Sequence, residues 1–258
     1  AGVFFSLYTL LLGGSGTLGK NIIKSKKFKK LKYPSKNKLN ITNKKQIYKY
    51  FIKNKINLVL HCAAIARVRE CEKNKRKAYR TNVIGTSNIV QSILKIRKLY
   101  NRDIKMIFLS SDAVYSSTKG NYKETDKASY YNYYGYTKVK GEKIVRKLKN
   151  YIIIRTRFFD KKKIPFNYSA TNIFTSTLEV KMLVQYISLI IKKNFQGVIN
   201  VGRSKISDYN CYKRYKKNLK PCDKKKIFDE INFKIATDAS LNLNKLNKIL
   251  WKKYQLKL

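Results

Sequence analysis

Short apolar runs recur along the first part of the chain, and each one ends in glycine, small residues or hydroxyls before a stretch with helical spacing begins. Leu7–Leu12, Phe28–Tyr33, Ile56–Leu60, Met106–Leu109 and Tyr151–Arg155 read as strands. They are nearly continuous in apolar character rather than alternating, as expected for strands covered on both faces of a parallel sheet. Between them, Lys44–Lys53, a long pattern over Lys75–Leu99 and a segment starting at Tyr134 read as helices. Strand–helix alternation of this kind predicts an α/β fold with a doubly wound parallel sheet. Beyond Arg157 the pattern weakens. Residues 161–175 read as irregular, Val180–Lys192 as an amphipathic helix, Gly197–Val201 as a strand and Ser207–Lys216 as helical. Residues 223–238 are polar without a clear element, and Leu241–Trp251 closes as a short helix. The last hundred or so residues should add a small lobe over the sheet edge.

The first run breaks off at Gly13-Gly14-Ser15-Gly16-Thr17-Leu18-Gly19. A buried strand, a glycine turn and a helix start form the arrangement that cradles a pyrophosphate. The first glycine allows the tight turn, the second lets phosphate approach the backbone, and the third lets helix and strand pack closely. An ordinary Gly-rich turn is the plainer alternative, but correct flanking elements favour a dinucleotide site of the Rossmann type. No Asp or Glu occurs between Ala1 and Arg69. The carboxylate that would hold the ribose 2′-OH of NAD is therefore missing from its usual place, whereas Ser35 and Lys36, after the second strand, could meet a 2′-phosphate. NADP(H) is expected over NAD(H). The third strand ends in His61-Cys62-Ala63-Ala64, whose small residues leave room for a cofactor ribose; His61 reads as a packing residue.

Tyr134-Gly135-Tyr136-Thr137-Lys138 places Tyr134 and Lys138 four residues apart, on one helical face that continues through Gly141 and Val145. The second such pair, Tyr136 and Lys140, continues through Lys143 and Lys147 and belongs in water. Upstream, the fourth strand runs into Ser110-Ser111-Asp112-Ala113. Hydroxyls at the carboxyl end of a parallel strand face the ligand crevice, although a serine there is also a common cap.

Composition changes this picture little. The chain has 258 residues, enough to bury roughly three quarters of its unfolded surface. Its formal charge is +45, with lysines spread over the whole length alongside the Asn, Ile, Tyr and Phe of A/T-rich codons. This reads as a solvated cationic surface with loose, salt-sensitive attraction for polyanions, not as a specific nucleic-acid site. Four cysteines show no C-x-x-C pair and fit reduced thiols in a cytoplasm. Val3–Leu12 is apolar but too short for a membrane span and lacks the basic flank of a signal peptide.

Glycine turn, serine-ended strand and Tyr-x-x-x-Lys helix stand in the order of extended short-chain dehydrogenases/reductases. More narrowly, the chain resembles the dTDP-4-dehydrorhamnose reductase family of sugar-nucleotide reductases. The likeness rests on the Gly13–Gly19 turn, Leu39–Asn43, Cys62-Ala63-Ala64, Asn82–Thr86, Leu109–Tyr115, Tyr122–Asp126 and Asn132–Glu142, and near the end on Ala239–Leu243. Asn40 and Asn43 stand where that family has Asp, Tyr130 where it has Pro, and Phe158 where it has Trp. The resemblance implies a Rossmann-like domain over residues 1–157 and a substrate lobe over 158–258, interleaved with it. It implies a reductase triad of Ser111, Tyr134 and Lys138. It also implies cofactor contacts from Gly13, Ser15, Gly16, Thr17, Leu18, Gly19, Cys62, Ala63, Ala64, Asn82, Tyr134 and Lys138. The substrate would be a 4-keto-6-deoxy sugar nucleotide. Similar 4,6-dehydratases carry Asp-Glu after the hydroxyl residue; here Asp112 is followed by Ala113, which disfavours dehydration. Epimerisation at C4 and a regulatory role like that of the methionine adenosyltransferase beta subunit stay open. Such reductases are often dimers and some use Mg²⁺, so the resemblance allows a homodimer and an Mg²⁺ requirement; the sequence shows no dedicated metal cluster.

Overall fold

The structure, a computed structural model, describes residues 7–116 and 118–251; the start of the apolar run at Val3 lies outside the described residues. The chain runs through β1 (Tyr8–Leu12), α1 (Thr17–Lys24), β2 (Lys30–Lys32), α2 (Lys44–Lys53), β3 (Leu58–His61), α3 (Val68–Lys73), α4 (Lys75–Tyr79), α5 (Gly85–Tyr100), β4 (Lys105–Leu109), α6 (Tyr133–Val145) and β5 (Tyr151–Arg155). Four short strands follow, β6 (Phe158–Phe159), β7 (Tyr168–Ala170), β8 (Phe174–Thr175) and β9 (Leu178–Glu179). Then come α7 (Val180–Lys192), β10 (Gly197–Asn200), β11 (Ile206–Ser207), α8 (Asp208–Lys213), β12 (Lys220–Cys222), α9 (Lys224–Asp229) and α10 (Asn244–Trp251).

One six-stranded sheet has the order β10-β5-β4-β3-β1-β2, and every pairing in it is parallel. Successive side chains leave opposite faces of a strand, so each apolar run feeds two cores. Leu10, Val59, Met106, Phe108 and Ile153 pack with Ile47 and Phe51 of α2 and Ile89, Ile93 and Ile96 of α5. Leu11, Leu58, Leu60, Ile107, Ile152 and Ile154 pack with Leu18 and Ile22 of α1 and with Leu183, Val184 and Ile187 of α7. This is the Rossmann-like doubly wound fold. From β1 the chain steps outward to β2 and then back across to β3. The strand order therefore reverses between β1 and β3, and a crevice opens there at the carboxyl ends.

The helix expected over Lys75–Leu99 is broken. A π-turn at Arg80–Ile84 separates α4 from α5. Its Asn82 amide bonds both backbone groups of Ile65, and Gly85 lies against Ile41, where a Cβ would come within 2.7 Å of Cδ1. A regular helix would have to give up these contacts. Residues 161–175 are not irregular throughout: β7 pairs with β12, and β8 with β11. Those partners lie far along the chain, beyond the reach of a local pattern. β2 is shorter than Phe28–Tyr33 because it pairs only with β1 at the sheet edge; Phe28 packs on the core without joining the ladder. Similarly, α8 stops at Lys213 rather than reaching Lys216. Among the described residues no helix is long and apolar enough to cross a membrane.

Candidate active site

β1 delivers the glycine turn into the crevice. Gly13 has φ +93°, and a Cβ there would lie 2.7 Å from the Ala63 amide nitrogen, so the end of β3 presses directly on the turn. A Cβ on Gly19 would lie 2.2 Å from the Gly13 carbonyl oxygen, which fixes how closely α1 approaches the strand. Gly16 donates its N–H to Gly13 O at 3.1 Å and starts α1 with no side-chain cap. The first N–H groups of that helix thus keep their positive end for something outside the chain. Around Gly16 itself a Cβ would meet only the Gly13 carbonyl, at 3.4 Å. An uncapped helix start, open space over Gly16 and exposed Ser15 suit a pyrophosphate.

Other residues expected at the cofactor fall into two groups. Cys62, Ala63 and Ala64 line the crevice end of β3, with the Cys62 N–H bonded to Leu12 O at 2.9 Å; burial pushes the Cys62 thiol up to about 12. Ser35 and Lys36 are exposed in the turn after β2. Asn82 is instead fully engaged: besides Ile65, its Nδ2 donates to Thr137 Oγ1 at 3.0 Å. It ties the segment after Ala64 to α6. His61 is buried with Nε2 3.0 Å from Thr86 Oγ1. Thr86 gives its own proton to Asn82 O, so Nε2 must be the donor and the ring is neutral; burial, with the nearby Lys138 ammonium, lowers its pKa to about 3. The histidine packs, as its sequence position suggested.

Ser111, Tyr134 and Lys138 come together at the carboxyl edge of β4. Ser111 caps a short turn over Asp112–Val114, accepting from Ala113 N at 3.2 Å. The same hydroxyl donates to Asp112 Oδ1 at 3.0 Å, and its hydrogen bonding with Tyr134 favours the phenolate. Capping and facing the crevice are both true of this serine. Asn132 caps α6 through Gly135 N at 2.8 Å, and Gly135 sits so close to the Ala113 carbonyl that a Cβ would lie 2.4 Å away. That contact brings Tyr134 beside the Ser111 turn. Burial drives the Tyr134 pKa above its ordinary value, opposed by the Ser111 hydrogen bond and raised further by the Asp112 charge. Lys138 is 5 % exposed, donates to Leu109 O at 2.6 Å, and lies 5.9 Å from the Tyr134 ring centre. Burial lowers its pKa to about 8. The decoy pair stays at the surface: Lys140 is exposed, while Tyr136 is half-buried among Tyr79, Tyr130 and Tyr133.

Two charge clusters flank these groups, and neither is evident from spacing. Arg155 and Glu142 are buried together, with Nε–Oε1 2.9 Å and Nη2–Oε2 2.7 Å, and Ser110 Oγ donates to Glu142 at 2.7 Å. Glu142 also supports the charge of Lys138. On the other side, Arg157 Nε meets Asp112 Oδ2 at 2.8 Å, and Asp208 at the start of α8 faces the same guanidinium. The run Arg155-Thr156-Arg157 announces two arginines but not their partners, which come from other elements.

A family profile, that of the RmlD substrate binding domain, matches residues 8–182. The dTDP-4-dehydrorhamnose reductase of Aggregatibacter actinomycetemcomitans is 28% identical over 153 residues, 57% of this chain and 50% of that protein. Methionine adenosyltransferase 2 subunit beta of Bos taurus is 26% identical over 146 residues, 53% of this chain and 42% of that one. The chain thus spans about half the length, or less, of these curated relatives. In three dimensions it is similar to dTDP-4-dehydrorhamnose reductase from Bacillus anthracis in complex with NADP, with TM-score 0.83 and 22% identity, covering 94% of this chain and 92% of that one. Since the profile runs from β1 into α7 and takes in the glycine turn, Ser111 and the tyrosine–lysine face of α6, this chain belongs to the RmlD substrate binding domain family.

Proposed function

We propose that the protein is an NADP(H)-dependent reductase of the 4-keto group of a nucleotide-linked 6-deoxyhexose, with Ser111, Tyr134 and Lys138 as its catalytic groups. The observation that carries this reading is the close contact of Gly135 with Ala113, which brings Tyr134 and Lys138 of α6 beside the Ser111 turn after β4, together with an uncapped glycine turn after β1. The named reductase relative and the NADP bound to the Bacillus anthracis protein support it. The bound cofactor would supply the hydride. Its pyrophosphate would lie on the Gly13–Gly19 turn, and its adenosine 2′-phosphate would meet Ser35 and Lys36, in a region with no carboxylate before Glu70.

The chain's own groups handle the proton. A reduced carbonyl oxygen gathers negative charge, and Tyr134 is placed to protonate it as Ser111 donates a hydrogen bond to the same oxygen. Burial disfavours the Tyr134 phenolate; a positive charge such as the Lys138 ammonium, 5.9 Å from the ring centre, acts in the opposite direction. At pH 7 a lysine titrating near 8 is mostly charged, so it can play this part. A dehydratase would need a base where Ala113 stands.

Mixing the protein with NADPH and a dTDP-4-keto-6-deoxyhexose should consume reduced nicotinamide, and Tyr134→Phe should abolish the loss while sparing NADP⁺ binding. Undiminished turnover in that variant would sink the assignment. A second reading, a nucleotide-binding regulatory subunit, is favoured by the likeness to the methionine adenosyltransferase subunit. It requires NADP⁺ binding without turnover on any keto sugar nucleotide. C4 epimerisation with no net loss of NADPH would mark the epimerase.

A further inference from the structure

Tyr136, half of the decoy pair, marks a side of α6 that the proposed reaction does not use. With about 100° between successive residues of a helix, Tyr136 lies about 160° around α6 from both Tyr134 and Lys138. On that far side a cleft of about 630 Å³ is lined by Tyr130, Tyr133 and Tyr136, by Glu72 of α3 and Lys75 of α4, and by Lys234. Its size is that of a small-molecule site. Tyr136 is held at the centre of an aromatic cluster: Tyr79 stacks on it at 6.4 Å, Tyr133 is tilted against it at 5.3 Å, and Tyr130 meets it at 5.2 Å and 69°. Tyr130 differs from the others in being 52% exposed, so more than half of its surface is left for something outside the chain. It also stands at a position where the reductases this chain resembles have proline. The walls are tied together by the chain itself. Asn132 Nδ2 donates to Lys234 O at 3.1 Å, and the Tyr133 N–H donates to Glu72 Oε1 at 2.7 Å. The start of α6, α3 and the segment around Lys234 thus form the cleft before any ligand arrives.

Charge decides what kind of ligand fits. An aromatic wall attracts organic cations as well as flat rings. Here two lysines and one glutamate line the cleft, and the Glu72 carboxylate is already engaged by the Tyr133 N–H and lies 3.9 Å from Lys75 Nζ. The lining is net positive and repels a cation. A ring alone would leave both ammonium groups unanswered, and a small anion alone would leave Tyr130 in water. We propose that the cleft is a second binding site, apart from the catalytic crevice, for a nucleoside phosphate, with the base stacked on Tyr130 and the phosphate held by Lys75 and Lys234. Stacking on tyrosine accepts any base, and lysines beside it supply the attraction for phosphate. The inference does not depend on the reductase reading, because Tyr136 and the cleft lie on the other face of α6 from Tyr134 and Lys138.

Calorimetry on the full chain, saturated with NADP⁺ so that the glycine turn is filled, should show 5′-AMP binding at one further site. Adenosine and ribose 5-phosphate, each carrying half of the ligand, should bind at least about tenfold more weakly. Tyr130→Leu should weaken AMP by at least about tenfold, the effect of a lost base stack. Lys234→Ala should weaken AMP by about three- to tenfold, less in about 0.5 M salt, and leave the weaker adenosine binding unchanged. Both side chains are exposed, and Asn132 bonds the Lys234 backbone, so both variants should fold. Neither should change kcat or KM by more than about twofold. AMP affinity unmoved in both variants would overturn the proposal. So would crystals soaked with AMP and NADP⁺ in which AMP occupies only the crevice. A raised KM for the sugar nucleotide in Tyr130→Leu would overturn it too, since the cleft would then belong to the substrate site. An adenylate hexamer binding far more tightly than AMP in the same high salt would put a nucleic-acid strand in the cleft instead of a free nucleotide. If the wild-type protein turns over no keto sugar nucleotide, the reductase reading fails, while AMP binding and its dependence on Tyr130 are still read by calorimetry and crystallography.

Discussion

Lys138 is a buried cation, so removing it should change how stability responds to pH. Its pKa in the folded chain is about 8, against 10.5 for a free lysine, because burial penalises the ammonium more than Glu142 supports it. Below pH 8 both folded and unfolded chains hold the proton, and the group adds no slope. Between 8 and 10.5 the unfolded chain keeps a proton that the folded chain has released, so stability must rise with pH across that window. Integrated, this amounts to about 3 kcal/mol. At 5 % exposure, screening by solvent takes little from it. The remaining lysines titrate in the same range and would obscure the effect in the wild type alone. Lys138→Met removes only this contribution. Urea melts of both proteins at intervals from pH 7 to 10.5 should therefore show the wild type gaining about 3 kcal/mol on the variant, or roughly 6–12 °C in Tm for a chain of this size. Parallel pH curves would refute the reasoning, since they would mean that Lys138 is solvated in the folded chain. The same variant should lose turnover at every pH.

Glu142→Ala leaves the Arg155 guanidinium buried without its bidentate partner and should destabilise the fold by about 3–5 kcal/mol in denaturant melts; a loss under about 1 kcal/mol would show that Arg155 finds other acceptors. Gly19→Ala puts a methyl 2.2 Å from the Gly13 carbonyl, so the turn must open, and NADP⁺ affinity by calorimetry should fall at least about tenfold with secondary structure retained. Burial holds the thiols of Cys62 and Cys71 up to about 12 and about 11. Iodoacetamide at pH 8 should leave both unlabelled in native protein and label them in urea; rapid native labelling would contradict their surroundings.

Much of the fold was legible because parallel strands buried on both faces write themselves as apolar runs. β1, β3, β4, β5 and β10, with α2 and α7, fall within a residue or two of where the pattern puts them. The face of α6 was legible too: Lys138, Gly141 and Val145 are buried, and Lys140, Lys143 and Lys147 are exposed. Both depend on periodicity, a property of neighbours in the chain. The π-turn at Arg80–Ile84 had no such signature, because Ile65 and Ile41, which shape it, lie outside its own stretch. The short strands between 168 and 175 were hidden for the same reason, each stabilised by a partner far along the chain.

At the site, residue types and spacing determined which groups could do chemistry: a glycine turn, a serine at a strand end, a tyrosine and lysine one helical turn apart. Only the tertiary structure decided their charge and direction. Lys138 loses part of its basicity because it is buried where α6 packs on β4, Ser111 sends its proton to Asp112, and Asp112 pairs with Arg157, just beyond β5 and facing Asp208 at the start of α8. Burial and ion pairing act through space, so a linear sequence can name the participants without stating which of them meet.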